Sequence, residues 1–176
     1  MQLLEKKAKC PLCGAKNPVD APRCGTCTRP LQNDPLPSQA LYDEARPYLE
    51  AMARKVMWVG EGELARVWKI AHNTMFGVII QSLCEITVLA EKAGIPRHVF
   101  LQSINDSVLG SMYTRYKSPM LANLTFDQVT FTPKLLLKDM DLGMNAGRKF
   151  NVTMPVGAAT REAIANVVGR GYEDVD

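Results

Sequence analysis

Residues Glu61–Gly94, EGELARVWKIAHNTMFGVIIQSLCEITVLAEKAG, are the stretch that decides the fold of this chain. The stretch has an acidic first turn and contains no proline. Gly94 stands at a position where helices commonly stop, and Pro96 follows just beyond it. The pattern predicts one long helix over Glu61–Gly94, around which the remaining elements pack.

The middle of this helix, Ala71–Ala90, is apolar nearly all round, which is typical of a helix buried in a core. A membrane span would need about 20 consecutive apolar residues. Four polar residues interrupt the run: His72, Asn73, Gln81 and Glu85. We therefore interpret it as the central core helix of a globular domain, and we expect no membrane partner.

Lys69 and Asn73 lie one helical turn apart, so they share a face near the start of the helix. A lysine and an amide held together at the edge of an apolar helix could face a polar pocket. An exposed lysine that snorkels beside a surface asparagine is the simpler interpretation. The spacing of Lys69 and Asn73 by itself favours the exposed lysine.

The composition is that of an ordinary soluble domain. The chain has 176 residues, 47% of them hydrophobic and 22% charged, and a formal net charge of +3. Basic residues outnumber acidic ones in the first 30 residues, but without interleaved aromatics, so nucleic acid is an unlikely partner. The charged N-terminus has no apolar core and so does not read as a secretory signal.

Four cysteines near the N-terminus carry the strongest motif. Cys10, Cys13, Cys24 and Cys27 form a C-x2-C…C-x2-C pattern, in which each pair can present two thiolates to one tetrahedral ion. Four protein ligands close the coordination shell, so the motif predicts a structural zinc site, with iron as the lesser alternative. Paired cysteines of this kind favour a reducing compartment, and we expect a cytoplasmic protein.

The pattern divides the chain into a zinc ribbon (residues 1–29), a proline-rich linker (30–38) and a longer helical region. Ser38 is a good N-cap for a helix over Gln39–Arg54, which Pro47 would kink or divide. The β-like run Lys55–Gly60, KVMWVG, has backbone groups that need partners. It must pair with another chain, pair with the ribbon, or be extended without being a strand.

Further elements are predicted beyond the long helix. Helices are expected over Pro96–Asn105, Pro133–Lys149 and Pro155–Val168, a helical or turn-rich segment over Leu109–Leu124, and an extended stretch over Thr125–Thr132. The sequence contains no G-x-G-x-x-G phosphate loop and no plausible Ser-His-Asp set. The fold class expected is therefore mainly α, a helical bundle around one long central helix with a small zinc module.

Several motifs in one order resemble the C-terminal part of the β-hydroxyacid dehydrogenase family, which includes 3-hydroxyisobutyrate dehydrogenase. WKIAHN matches the family's K-x-x-x-N, and FTPKLLLKDMDLGMNAG matches its F-x-x-x-L-x-x-K-D-L segment. The closing GRGYEDVD matches its G-x-G-x-x-D. By this resemblance, residues 39–60 are a remnant of the last Rossmann helix and strand, and residues 61–176 are the helical dimerisation domain.

The resemblance implies roles for individual residues. Lys69 falls where the family has its catalytic general acid/base, a role that needs a lysine shielded from water, and Asn73 falls on the asparagine that steadies it. Lys138 and Asp139 fall on a pair near the nicotinamide and count as cofactor-binding residues. The long helix would form the interface of a homodimer.

The family's dinucleotide-binding domain has no counterpart in this sequence, and the zinc ribbon stands in its place. Our leading hypothesis is a helical dimerisation and substrate domain with a zinc adaptor, inactive alone. A second hypothesis is one half of a split oxidoreductase, whose separate Rossmann chain would bring NAD or NADP. A third is a zinc-ribbon adaptor that recruits protein or nucleic acid to a dimeric scaffold.

Overall fold

The computed structural model describes residues 7–10, 13–18, 21–28, 31 and 38–176. Within these residues the fold is mainly α, as predicted. The elements are β1 (Lys7–Lys9), β2 (Lys16–Pro18), α1 (Gln39–Met52), α2 (Leu64–Lys92), α3 (Arg97–Asp106), α4 (Met112–Asn123), α5 (Pro133–Lys149) and α6 (Pro155–Gly169). The predicted linker lies almost wholly outside the described residues.

The ends of α2 follow from glycines in left-handed backbone. Gly60 and Gly62 have φ values of 118° and 63° just before the helix, and Gly94 has a φ of 95° just after it. The Ile95 N–H donates to the carbonyl of Ala90, which closes the last turn. The long helix was therefore correctly predicted, two or three residues too long at each end.

The prediction that α2 is buried nearly all round was wrong. One stripe is buried, formed by Thr74, Gly77, Leu83, Thr87 and Ala90. Val88 and Leu89 on the other side are 50% and 69% exposed. By length and composition alone α2 could cross a membrane, a property that the core helices of soluble proteins share.

The chain separates into two compact units, the first of Met1–His72 with Asn145–Val152 and the second of Asn73–Met144 with Thr153–Asp176. The core of the second unit is a cluster of Leu136, Met140 and Ile164. Partly buried apolar side chains complete it: Ile80, Phe131 and Leu137. Helices α2, α5 and α6 thus share one apolar centre.

Two glycines allow α2 and α5 to approach closely within the second unit. A Cβ atom on Gly143 would lie 2.0 Å from Thr74 Oγ1, and one on Gly77 would lie 2.7 Å from the sulfur of Met140. A Cβ atom essentially never makes contacts that short, so neither position admits a side chain unless its neighbour shifts. The crossing of these two helices depends on both glycines.

We expect Gly143→Ala to lower the free energy of unfolding by about 1–3 kcal/mol, because the new methyl group must push Thr74 and the α2 backbone away. Urea unfolding followed by circular dichroism measures the change. Gly169→Ala is the matched control, because nothing lies within 4 Å of that position. Equal midpoints for the two variants would refute the close crossing.

An ion pair buried in the second unit holds the end of the described chain against α4. The ammonium of Lys117 pairs with the carboxylate of Asp176, and both side chains are 7% exposed. The Asp176 carboxylate also accepts from the backbone N–H groups of Thr130 and Phe131. Burial raises the pKa of Asp176, but the hydrogen bonds from Lys117, Thr130 and Phe131 outweigh it and leave this pKa below its usual range.

This lowered pKa makes stability depend on pH. The stabilisation by Asp176 should be complete above the ordinary aspartate pKa of about 4 and should be lost as the pH falls through the lower folded-state pKa. Asp176→Asn should cost about 3–5 kcal/mol at neutral pH, since it leaves Lys117 as an uncompensated buried charge. The difference from the parent should shrink in acid, as thermal unfolding across pH can show. The exposed Asp174→Asn is the control, and a difference constant across pH would contradict the assignment.

The first unit contains α1, which begins at Ser38 as predicted. The Ser38 Oγ accepts from the Leu41 N–H at 3.3 Å, a normal N-cap contact. The helix continues through Pro47 to Met52, so of the two expected effects of this proline, a kink or a division, the division does not occur. Residues 54–59 form no strand and do not pair with β1 or β2, and Thr125–Thr132 contains no strand either.

Candidate functional site

Four cysteine thiols meet in the first unit. The sulfur atoms of Cys10, Cys13, Cys24 and Cys27 all lie within 4.8 Å of one another. The Cys10–Cys27 sulfur distance is 3.5 Å and the Cys13–Cys24 distance is 3.6 Å. Bonds of about 2.3 Å to a tetrahedral zinc ion would place sulfurs about 3.8 Å apart, so the donor set fits such an ion.

A short antiparallel hairpin, in which Ala8 of β1 faces Asn17 of β2, supports this cluster. Asn17 is buried, donates to the Cys24 sulfur at 3.5 Å, and accepts from the Gly25 N–H at 2.9 Å. One amide thus fixes the second cysteine turn onto the hairpin. The sequence reasoning missed Asn17, because an asparagine between a lysine and a proline reads as an ordinary turn residue.

The electrostatics around Cys24 favour its ionised form. Burial raises the pKa of Cys24, but hydrogen bonds from the backbone of Cys27 and Thr26 and from the Asn17 side chain lower it to about 6. The thiolate is the form that binds metal ions. The hydrogen bonds around Cys24 therefore favour the thiolate form that a metal ion would bind.

An amide, a carboxylate and an ammonium form a second polar cluster, in the second unit. Asn73 Nδ2 on α2 donates to Asp139 Oδ2 on α5 at 2.7 Å. The other oxygen of Asp139 lies 3.0 Å from the Nζ atom of Lys138. Asp139 is only 5% exposed, whereas the Lys138 side chain is 40% exposed.

This cluster brings together three of the four predicted catalytic and cofactor-binding residues. A buried carboxylate costs free energy unless it is paired and hydrogen-bonded, and Asp139 has both kinds of partner. Because Nδ2 donates to Asp139, this hydrogen bond sets the amide plane of Asn73. Lys138 is left with a partly solvated ammonium beside a fixed negative charge.

Lys69 belongs to the first unit and is exposed. The residues that the structure describes therefore do not provide the shielding from water that its predicted role requires. On the same helix Trp68 stacks on His72, with ring centroids 5.1 Å apart. Arg66 pairs with Glu63 at 2.8 Å and donates to the carbonyl of Cys27 at 3.1 Å, so the first turn of α2 contacts the cysteine module.

Comparisons with known proteins identify the class. The family model described as the NAD-binding part of NADP-dependent 3-hydroxyisobutyrate dehydrogenase matches residues 62–176. The match extends over well more than half of the chain, and the chain belongs to this family. The resemblance inferred from the K-x-x-x-N and K-D motifs is thereby confirmed.

Individual relatives of this chain are oxidoreductases, in agreement with the family. The uncharacterized oxidoreductase YfjR of Bacillus subtilis is 25% identical over 75% of this chain and 46% of its own length. Glyoxylate/succinic semialdehyde reductase 1 of Arabidopsis thaliana is 25% identical over 78% of this chain and 47% of its own length. The chain thus spans about half the length of the curated relatives it matches.

A solved structure supports the fold. The 3-hydroxyisobutyrate dehydrogenase of Salmonella typhimurium superposes with a TM-score of 0.74 at 21% identity, over 79% of this chain and 49% of that one. At this identity the likeness speaks for the fold alone. The helical arrangement around α2 is therefore the arrangement found in that enzyme.

Proposed function

We propose that this chain is the helical, substrate-side half of an NAD(P)-dependent β-hydroxyacid oxidoreductase and that it is inactive alone. The observation that carries the proposal is the contact of Asn73 with the buried Asp139, which also pairs with Lys138. A helical core that served only for packing would gain nothing from a buried carboxylate at this crossing.

The bound NAD(P) would supply the hydride chemistry, as cofactors do in such enzymes. In the direction of carbonyl reduction, Lys69 would donate a proton to the substrate oxygen, and in oxidation it would accept that proton. The Asn73 oxygen would accept a hydrogen bond from a substrate hydroxyl. Lys138 would hold an anionic group of the substrate or cofactor, while Asp139 fixes both neighbours.

Two observations favour the split form of this function, in which a separate chain brings the dinucleotide. Lys69 is exposed in this chain, so a covering surface is needed to shield it. The curated relatives are about twice as long as the part they share with this chain. We propose short hydroxyacids and their semialdehydes as the substrate class, because relatives carry glyoxylate, succinic semialdehyde and 3-hydroxyisobutyrate in their names.

We further propose a homodimer formed through α2 in the cytoplasm. Support comes from the exposed apolar side chains of Val88 and Leu89, which a soluble protein covers more often than it leaves in water. The four thiols favour a reducing compartment. The mass in solution, from sedimentation equilibrium, distinguishes the dimer from the monomer.

The test of the proposed function is a turnover assay. The tagged chain, isolated alone, should not oxidise NADPH or NADH with glyoxylate or succinic semialdehyde. Addition of the dinucleotide-binding chain that co-purifies from the source cells should restore turnover. Lys69→Ala should then lower kcat by about 100-fold to 10,000-fold, whereas Lys92→Ala on the last turn of the same helix should have no effect. Turnover by the chain alone, or turnover insensitive to Lys69→Ala, would refute the proposal.

The cysteine module is proposed to bind zinc as a structural ion. Metal analysis of the purified chain should find stoichiometric zinc, and Asn17→Ala should weaken zinc binding by about 10-fold to 100-fold, because Asn17 supports the ligand Cys24. Cys10→Ser should unfold this module only. A loss of helical circular dichroism signal in Cys10→Ser would show that the module and the helices do not fold independently.

A further inference from the structure

A cavity of about 140 Å³ lies in the second unit and is partly open to solvent. Its walls come from α2, α4, α5 and α6, and it shares Leu136 and Ile164 with the core cluster. The residues of the proposed catalytic and cofactor-binding site do not line it: Lys69, Asn73, Lys138 and Asp139. Protein interiors contain few voids larger than a water molecule, so a space of this size beside the core is unusual.

The walls of the cavity are almost wholly apolar, and three of the side chains in them are aromatic. The rings of Phe76 and Tyr113 have centroids 3.8 Å apart, and the ring of Phe131 meets Phe76 edge-on at 6.0 Å. Aromatic rings pack well against a further ring, either offset-stacked or edge-to-face. Water finds few hydrogen-bond partners against such walls, so an apolar molecule should displace it readily.

The two charged groups in the walls already have partners. The Lys117 ammonium pairs with Asp176, donates to Thr130 Oγ1 at 3.0 Å, and lies 4.0 Å from the sulfur of Met120. The Asp176 carboxylate also accepts from the N–H groups of Thr130 and Phe131. A charged ligand would therefore lose its hydration in the cavity without gaining a counter-ion.

The phenol of Tyr113 is the other polar group in the walls. Burial raises the pKa of Tyr113, and the nearby charge of Asp176 raises it further. The hydroxyl group therefore stays neutral at physiological pH. It can exchange a hydrogen bond with a neutral hydroxyl group of a ligand, because a phenol both donates and accepts.

We propose that this cavity binds a small, uncharged, ring-shaped molecule of the size of benzene or phenol. The volume sets the size, since apolar cavities of about 150 Å³ in other proteins bind benzene, whereas pockets for drug-sized ligands begin at about 300 Å³. The satisfied ion pair sets the charge. The site is separate from the proposed oxidoreductase function and does not rest on it.

A bound ring would touch four helices at once, so it should stabilise the second unit. At a ligand concentration about ten times the Kd, the thermal midpoint followed by far-ultraviolet ellipticity should rise by about 3–6 °C.

Methyl spectra of the full chain labelled at its isoleucines locate the ligand. Benzene and phenol, added separately, should shift the methyl signals of Ile80 and Ile164 until they saturate, because both residues line the cavity. Ile104 is half-buried in the same unit but does not line the cavity, so its signal should stay in place. Benzoate has the same ring with a negative charge and should bind at least about tenfold more weakly than phenol.

Substitutions on α6 provide the matched test. Val167→Phe places a ring in the cavity and should weaken benzene binding about tenfold or more, whereas Val156→Phe on the same helix, away from the cavity, should leave it unchanged. If Val167→Phe does not fold, Ile164→Val serves instead, because it enlarges the cavity and should raise the affinity for ethylbenzene relative to benzene.

Four results would each overturn the proposal. They are shifts that do not saturate, shifts of Ile104 as large as those of Ile80 and Ile164, benzoate binding as tight as that of phenol, and equal benzene affinity in the Val167→Phe and Val156→Phe variants. With Ile164→Val, an unchanged preference between ethylbenzene and benzene would do the same.

Discussion

The close crossing of α2 and α5 is the contact on which the second unit depends. Thr74 packs directly against Gly143, and Gly77 faces Met140, so the two helical backbones approach more closely than larger residues would allow. Asn73 precedes Thr74, and Asp139 precedes Met140. The same crossing that closes the core therefore places the amide within hydrogen-bond distance of the carboxylate. A substitution that alters the packing of α2 on α5 will therefore also move Asn73 relative to Asp139.

The sequence predicted what local chemistry determines. The helix ends could be predicted because the residues that set them act only on their immediate neighbours. These residues are Ser38, Gly94, Pro133 and Pro155. The cysteine cluster could be predicted because the spacing of the two cysteine pairs alone indicates that the four thiols come together. The K-x-x-x-N and K-D motifs gave the family, which the match to residues 62–176 confirmed.

What the sequence could not predict are contacts between distant residues. The hydrogen bond from Asn73 to Asp139 joins positions 66 residues apart, and the role of Asn17 depends on a turn formed by the second cysteine pair. The exposure of Val88, Leu89 and Lys69 is a property of packing, since an apolar helix in isolation does not reveal which of its sides is covered. Pro47 does not divide α1, because an exposed helix tolerates the loss of one backbone hydrogen bond.

The positions of the two tryptophans have a consequence for spectroscopy. Trp58 and Trp68 are the only tryptophans of the chain, and both belong to the first unit. Indole emission therefore reports on that unit alone, while the second unit is optically silent at tryptophan wavelengths and is observed through far-ultraviolet ellipticity. A denaturation curve recorded by fluorescence describes half of the protein, and its coincidence with the ellipticity curve measures whether the two halves unfold as one cooperative system.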